Sequence, residues 1–189
     1  MRKLTYFIGA SADGYIAAAD GSLEDFFPLP DGLLEYLVAH YPQTLPTHLH
    51  APLGVTDLGS RFDTVLMGRG TYEPGLKEGV TSPYSHLKQY VVSGSLINPD
   101  PAITVISGDP AHAVQQLKRE TGGGIWLAGG GRLAAALLPE IDEVIVKIYP
   151  LILGKGIGMF DGQIPAVRLT LTDAHVLAGG AAVHTYTRK

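Results

Sequence analysis

The stretch Ile125-Trp126-Leu127-Ala128-Gly129-Gly130-Gly131-Arg132-Leu133 narrows the choice of folds more than any other part of the chain. Ile125 to Ala128 are apolar without a break, which leaves no polar face and predicts a strand covered on both sides. Gly129, Gly130 and Gly131 then remove every Cβ from the turn that follows, so backbone N–H groups can come close to a ligand. Good helix formers run from Arg132 to Leu138, and Pro139 stops them. A strand, a glycine turn and a helix N-terminus make an anion site, because unsatisfied N–H groups and the positive end of the helix dipole face the turn. A nucleotide pyrophosphate is the anion that suits it. The competing reading is that the glycines serve only close strand–helix packing.

Gly129 to Ala134 also satisfy the G-x-G-x-x-G/A dinucleotide pattern. A Rossmann unit would add an acidic residue about twenty positions on, to hold a ribose hydroxyl. The chain there reads Tyr149-Pro150-Leu151-Ile152-Leu153-Gly154, with no acid. Nucleotide binding in another fold is therefore the expectation.

At 189 residues, 46% of them hydrophobic, the chain is long enough for one core and short for two, so residues 1–189 read as one domain. A net charge of −4 with no basic stripe argues against a nucleic-acid partner. The absence of cysteine removes disulfides and thiolate metal sites. The start, Met1-Arg2-Lys3-Leu4, resembles a leader, but Ser11, Asp13 and Gly14 interrupt its apolar stretch, and no run of about twenty apolar residues follows anywhere. A cytoplasmic protein without membrane contact is expected.

Leu4 to Ala10 predicts a central strand, and Tyr15-Ile16-Ala17 resumes an extended pattern after a turn. Gly9, Ala10 and Ile16 thereby fall at a strand end, where ligands of open sheets sit. Gly32 to His40 has helical spacing ended by Pro42. Further strands are expected at Thr64–Met67, Gln89–Val92, Ile103–Ile106 and Glu143–Ile148, with a helix opened by Asp109-Pro110 and a closing hairpin from residues 168–176 and 182–188. Strands alternating with helices and ending in a hairpin predict a mixed α/β sheet with antiparallel strands at one edge.

A second glycine turn, Gly68-Arg69-Gly70-Thr71, follows the strand at residues 64–67. It offers Arg69 as a phosphate partner and Thr71 as a donor at a helix start; a surface arginine beside an ordinary cap is the alternative. Glu24 and Asp25 lie between Leu23 and Phe26-Phe27, and carboxylates pressed against aromatics can carry protons near neutrality. A solvated turn or a helix cap is the other reading for them. Residues 41–60 have no period, which points to a lid, a binding loop or an interface arm. Within that stretch His48 and His50 could ligate a metal, but no third ligand of matching spacing is visible and none is expected.

Four ordered stretches carry a likeness: Ser11-Ala12-Asp13-Gly14-Tyr15-Ile16-Ala17 with Asp20-Gly21; Val65 to Glu73; Ile125 to Leu133; and Tyr149 to Gly156 with Phe160. The chain resembles the dihydrofolate reductase superfamily. Within that superfamily it is similar to the reductase domain of the bifunctional deaminase-reductase of riboflavin biosynthesis and its stand-alone bacterial relatives. The resemblance implies a three-layer α/β fold in which a mixed, mostly parallel sheet carries a C-terminal antiparallel hairpin and helices on both faces. It also implies NADPH. Gly68, Arg69 and Thr71 would serve its phosphates, Ser93 and Gly94 the adenosine ribose phosphate, and Gly129, Gly130, Gly131, Arg132 and Leu133 the pyrophosphate and nicotinamide side. Gly9, Ala10 and Ile16 would line the nicotinamide. Folate reductases carry an acid on their first long helix, and Asp31 to Glu35 do not align with it, so Asp25 or Glu24 is the candidate proton donor. A homodimer is implied, through residues 143–160 or the closing strands, and the apolar run Leu151-Ile152-Leu153 supports it. The expected function is NADPH-dependent reduction of a small pteridine-like or riboflavin-precursor-like heterocycle. The alternative is a nucleotide-binding module without turnover.

Overall fold

The computed structural model describes residues 1–97 and 100–189. In chain order its elements are β1 (Leu4–Ser11), β2 (Tyr15–Ala17), α1 (Leu33–His40), β3 (Phe62–Gly68), α2 (Arg69–Lys77), β4 (Lys88–Val92), β5 (Ile103–Ile106), α3 (Pro110–Arg119), β6 (Gly124–Gly129), α4 (Gly131–Ala136), β7 (Glu143–Tyr149), β8 (Ile157–Gly158), β9 (Leu169–Val176) and β10 (Ala182–Arg188). Eight strands form one sheet in the order β5-β4-β3-β6-β1-β7-β10-β9. The pairings from β5 to β7 are all parallel, and β10 runs antiparallel to both β7 and β9. The mixed, mostly parallel sheet with an antiparallel hairpin at its edge is the architecture expected from the sequence.

The central strands are covered on both faces, which is why they are mainly apolar. On one face Phe7, Val65, Met67, Trp126, Ile145 and Val183 pack beneath α1, α2 and the 41–60 loop through Leu33, Leu37, Tyr41, Leu45 and Tyr72. On the other, Tyr6, Leu66, Leu127, Val144 and Val146 meet α3 and α4 through Val114, Leu117, Leu133, Ala134 and Leu137. The start of α3 is as its sequence signals: Pro110 is its first residue, and the Asp109 carboxylate accepts the Ala111 N–H at 3.0 Å.

Tyr15–Ala17 is extended as expected and lies outside the main sheet; it pairs antiparallel with β8, a strand the glycine-rich sequence at 154–158 conceals. Two expectations change. The helix after the triple glycine ends at Ala136, because Pro139 belongs to a following 3₁₀ turn, Leu138–Glu140, so its dipole is that of less than two turns. Of the run Leu151-Ile152-Leu153, the outer two pack against the first core cluster and only Ile152, 70% exposed, faces water.

Candidate cofactor and substrate site

Because β4, β3, β6, β1 and β7 are parallel neighbours, their C-terminal ends lie side by side on one edge. The turn at Ser93-Gly94, the turn at Gly68-Arg69, the triple glycine, the end of β1 at Gly9 to Ser11, and Tyr149 thus follow one another along that edge. The chain leaves β1, skips one position to β3, and later returns to lay β6 between them, which opens the crevice where open α/β sheets take ligands.

The two glycine turns touch. A Cβ on Gly68 would stand 3.3 Å from the Gly130 nitrogen and 3.4 Å from the Gly129 carbonyl oxygen. Gly129 has φ +120°, which only glycine adopts readily, and the Gly129–Gly130 peptide is cis. A Cβ on Gly130 would meet only the Thr71 hydroxyl, at 3.7 Å, and Gly70 and Gly94 have nothing within 4 Å of that position. These three glycines therefore bare backbone towards open space rather than towards packed protein. Gly131 is different: a Cβ there would overlap the Gly158 carbonyl, so this glycine serves contact with the 158–161 segment. The packing reading and the ligand reading of the triple glycine thus apply to neighbouring residues.

Arg69 is exposed and directed along this edge, its Nε donating to Glu73 at 2.5 Å and its Nη1 to the Ser95 hydroxyl at 2.6 Å. The Ser93 hydroxyl accepts the N–H groups of Ser95 and Leu96 at 3.3 and 3.0 Å, so it shapes the turn that presents Gly94 and Ser95. Arg132 points to solvent beside Asp161, while the Leu133 side chain is buried in the core, leaving only its backbone for a ligand. Gly9 and Ala10 fall on opposite faces, Ala10 packing with the α3–α4 side, where Ile16 also packs.

Glu24 and Asp25 occupy a 3₁₀ turn, Glu24–Phe26, at the rim of this edge. The aromatic enclosure expected around them is absent. Phe26 turns inward to meet Tyr149 edge-on at 5.1 Å, Phe27 is 61% exposed, and both carboxylates face solvent. The histidines at 48 and 50 do not pair either: His50 contacts the Leu45 carbonyl at 3.0 Å and packs against His86, while His48 is exposed.

Two groups escaped sequence reasoning. Asp13 accepts the Ser11 hydroxyl at 2.6 Å and the N–H groups of Leu153 and Gly154 at 3.1 and 2.7 Å, and these bonds hold its carboxyl below the usual range. It ties the turn after β1 to the loop after β7, which explains the acid in the Ser11–Gly14 motif. Lys147, on β7 opposite Gly9, points to the α1 face, with Nζ 4.7 Å from the Phe7 ring centroid. A Cβ on Gly9 would lie 3.7 Å from the Lys147 Cε and 3.0 Å from the Tyr149 ring, so Gly9 makes room for both. The signal was a lysine inside the otherwise apolar Val144–Ile148 run.

The layered sheet, its parallel order and the paired glycine turns define a dihydrofolate-reductase-like fold. A family model, the RibD C-terminal domain, matches residues 2–185, and the chain belongs to that family. It is 31% identical over 186 residues to YwjB, an uncharacterized protein of Bacillus subtilis strain 168, covering 97% of each chain. Among solved structures it resembles a putative riboflavin biosynthesis protein from Shewanella sp. PV-4, with TM-score 0.73, 24% identity and coverage of 100% of this chain and 99% of that one. It also resembles Enterococcus faecalis dihydrofolate reductase complexed with NADP(H), with TM-score 0.65, 18% identity and coverage of 99% and 96%. A third resemblance is to a Thermotoga maritima diaminohydroxyphosphoribosylaminopyrimidine deaminase and 5-amino-6-(5-phosphoribosylamino)uracil reductase. There the TM-score is 0.66 and the identity 15%, with all of this chain matching 57% of the other. At these identities the structural likenesses establish the fold.

Proposed function

We propose that the protein is an NADPH-dependent reductase of a small heterocycle, with the dinucleotide along the C-terminal edge of the sheet. The observation that carries this reading is the open backbone at Gly70, Gly94 and Gly130, just beyond the ends of the neighbouring strands β3, β4 and β6, where added Cβ atoms would find no packed protein. That cradle fits an extended phosphate-bearing ligand. When bound, the nicotinamide supplies a hydride to an electrophilic carbon. Gly68, Thr71 and the Gly129-Gly130 backbone hold the pyrophosphate, and Arg69 with Ser95 faces the adenosine end. At the opposite end Gly9, lacking a side chain, lets the Tyr149 ring and the Lys147 stem pack against β1 beside Phe7. Orienting the two reactants in this crevice is the main contribution asked of the protein.

Arg69 is the cation placed to recognise the extra phosphate of NADPH. A charge-assisted bond contributes about 1.5–3 kcal/mol. Arg69→Ala is therefore expected to weaken NADPH binding roughly tenfold or more while leaving NADH binding nearly unchanged. Titration calorimetry with both cofactors tests this, and equal losses for the two would assign Arg69 a general role only.

The exposure of Glu24 and Asp25 favours a second reading, a dinucleotide-binding module without turnover. NADPH oxidation with pterins, flavins or a riboflavin precursor separates the two.

We further propose a homodimer through the closing hairpin. All eight residues of β9 are exposed and β9 ends the sheet, a long free edge that proteins normally cover. Light scattering at micromolar concentration should return twice the 20.0 kDa chain mass. A monomeric mass removes the proposal.

A further inference from the structure

Resting on the reading above, we propose that Lys147 is the proton-donating cation at the nicotinamide end of the crevice, in place of a carboxylic acid. The geometry makes it the group for that position. Its ammonium lies over the Phe7 ring near the C-terminal end of β7, where Gly9 on the neighbouring β1 lets the Lys147 stem and the Tyr149 ring pack close. Among the described residues it makes no ion pair and no hydrogen bond, so its N–H donors remain available for a ligand. The two carboxylates that could have served, Glu24 and Asp25, stand in solvent at the rim.

A half-buried ammonium without a counter-ion is costly, and burial pushes Lys147 down from 10.5 to about 8. A donor in that range is charged at neutrality and gives up its proton readily. An Nζ–H bond breaks and the proton passes to the substrate heteroatom that takes up the electron pair as the neighbouring carbon is reduced by the dinucleotide hydride. Lys147 is left as a neutral amine and regains a proton from water. A cation here selects the sign of the substrate. It favours an acceptor with a carbonyl or anionic oxygen facing β7, and opposes a ring that arrives already protonated.

Other titratable groups bear on this wall. Tyr149 shares the strand and burial raises it to about 12. Tyr41, at the end of α1 and 4.7 Å from the Phe7 ring, is also raised by burial. Arg61 lies over Tyr41, Glu24 and Asp25 sit on the 24–26 turn, and exposed His40 and His175 cluster with Tyr36.

The test compares NADP⁺, whose nicotinamide is positive, with NADPH, whose nicotinamide is neutral, by calorimetry between pH 7 and 10. It uses the wild type, Lys147→Met and Lys147→Arg, with melting temperatures recorded for each. The adenosine phosphates are common to both ligands and cancel in the ratio. With the ammonium beside the ring, the NADP⁺-to-NADPH affinity ratio of the wild type should rise about tenfold as pH passes through 8, since one such charge contact is on the order of 1.4 kcal/mol. Lys147→Met should hold the high ratio at every pH and Lys147→Arg the low one. A flat wild-type ratio with both ligands bound overturns the role of Lys147 while sparing the cofactor site, as does a rise that persists in Lys147→Met. Failure of wild type to bind either dinucleotide defeats the proposed function itself.

Discussion

Gly130→Val is expected to lower NADPH affinity by at least roughly tenfold while moving the melting temperature by no more than about 2 °C. The Cβ of residue 130 enters open space, with only the Thr71 hydroxyl at 3.7 Å, and its backbone lies at φ −90°, ψ −169°, which valine adopts without strain. The substitution therefore spares the core and fills the space where the pyrophosphate would approach the backbone. Gly131→Val supplies the opposite case one residue on. Its Cβ would overlap the Gly158 carbonyl and stand 3.0 Å from the Asp161 Cβ, and backbone cannot yield as a flexible side chain can. Overpacking of this kind costs about 1–3 kcal/mol, or roughly 3–10 °C for a chain of this length. Calorimetric melting and NADPH titration on the two variants give the comparison. Unchanged affinity in Gly130→Val would return the whole triple glycine to a packing role.

Lys147→Met should make the protein more stable at neutral pH. A base whose folded value lies near 8, below its ordinary 10.5, binds fewer protons folded than unfolded between those limits. The cost is thus fully present below pH 8 and disappears as pH rises towards 10.5. Full burial would make it about 3 kcal/mol from the size of that shift. Residual solvent contact and the loss of the contact with Phe7 reduce the expected net gain to about 1–2 kcal/mol. The variant should melt roughly 2–6 °C higher at pH 7, and the difference should shrink to about a quarter of that by pH 10. A variant that melts lower at pH 7, or a gap that does not narrow with pH, contradicts the assignment of Lys147 as an uncompensated buried charge.

The proposed site was readable where local chemistry creates it. Gly68, Gly129 and Gly130 declare themselves because the residues before each turn are apolar enough to be a central strand, and an unbroken strand ending in glycine has few purposes. Arg69 and Thr71 follow from the same turn, and Ser95 could have been added, since it lies two residues beyond Ser93. Lys147 and Asp13 were missed for another reason. A lysine in an apolar run has no local partner to betray it, and its surroundings come from Phe7 and Gly9, about 140 positions away in the chain. Asp13 reads as a turn residue until Leu153 and Gly154 are brought to it. The enclosure expected around Glu24 and Asp25 failed in the opposite direction. Neighbouring phenylalanines in sequence do not imply enclosure, because successive side chains in a tight turn diverge and only Phe26 entered the core.

By itself the sequence determined that β1, β3, β4, β6 and β7 would be covered strands, where their helices would begin, and which turns would be bare of side chains. Those properties depend on apolar periodicity, capping residues and missing Cβ atoms, all of which act within a few residues. Tertiary structure alone decided that β6 inserts between β3 and β1, so that two glycine turns separated by some sixty residues come so close that a Cβ on Gly68 would stand 3.3 Å from the Gly130 nitrogen. It also decided that Gly131 packs while Gly130 does not, and that β2 leaves the main sheet for β8. Strand order is set by which faces can be buried together across the whole chain, and no stretch of neighbouring residues carries that information.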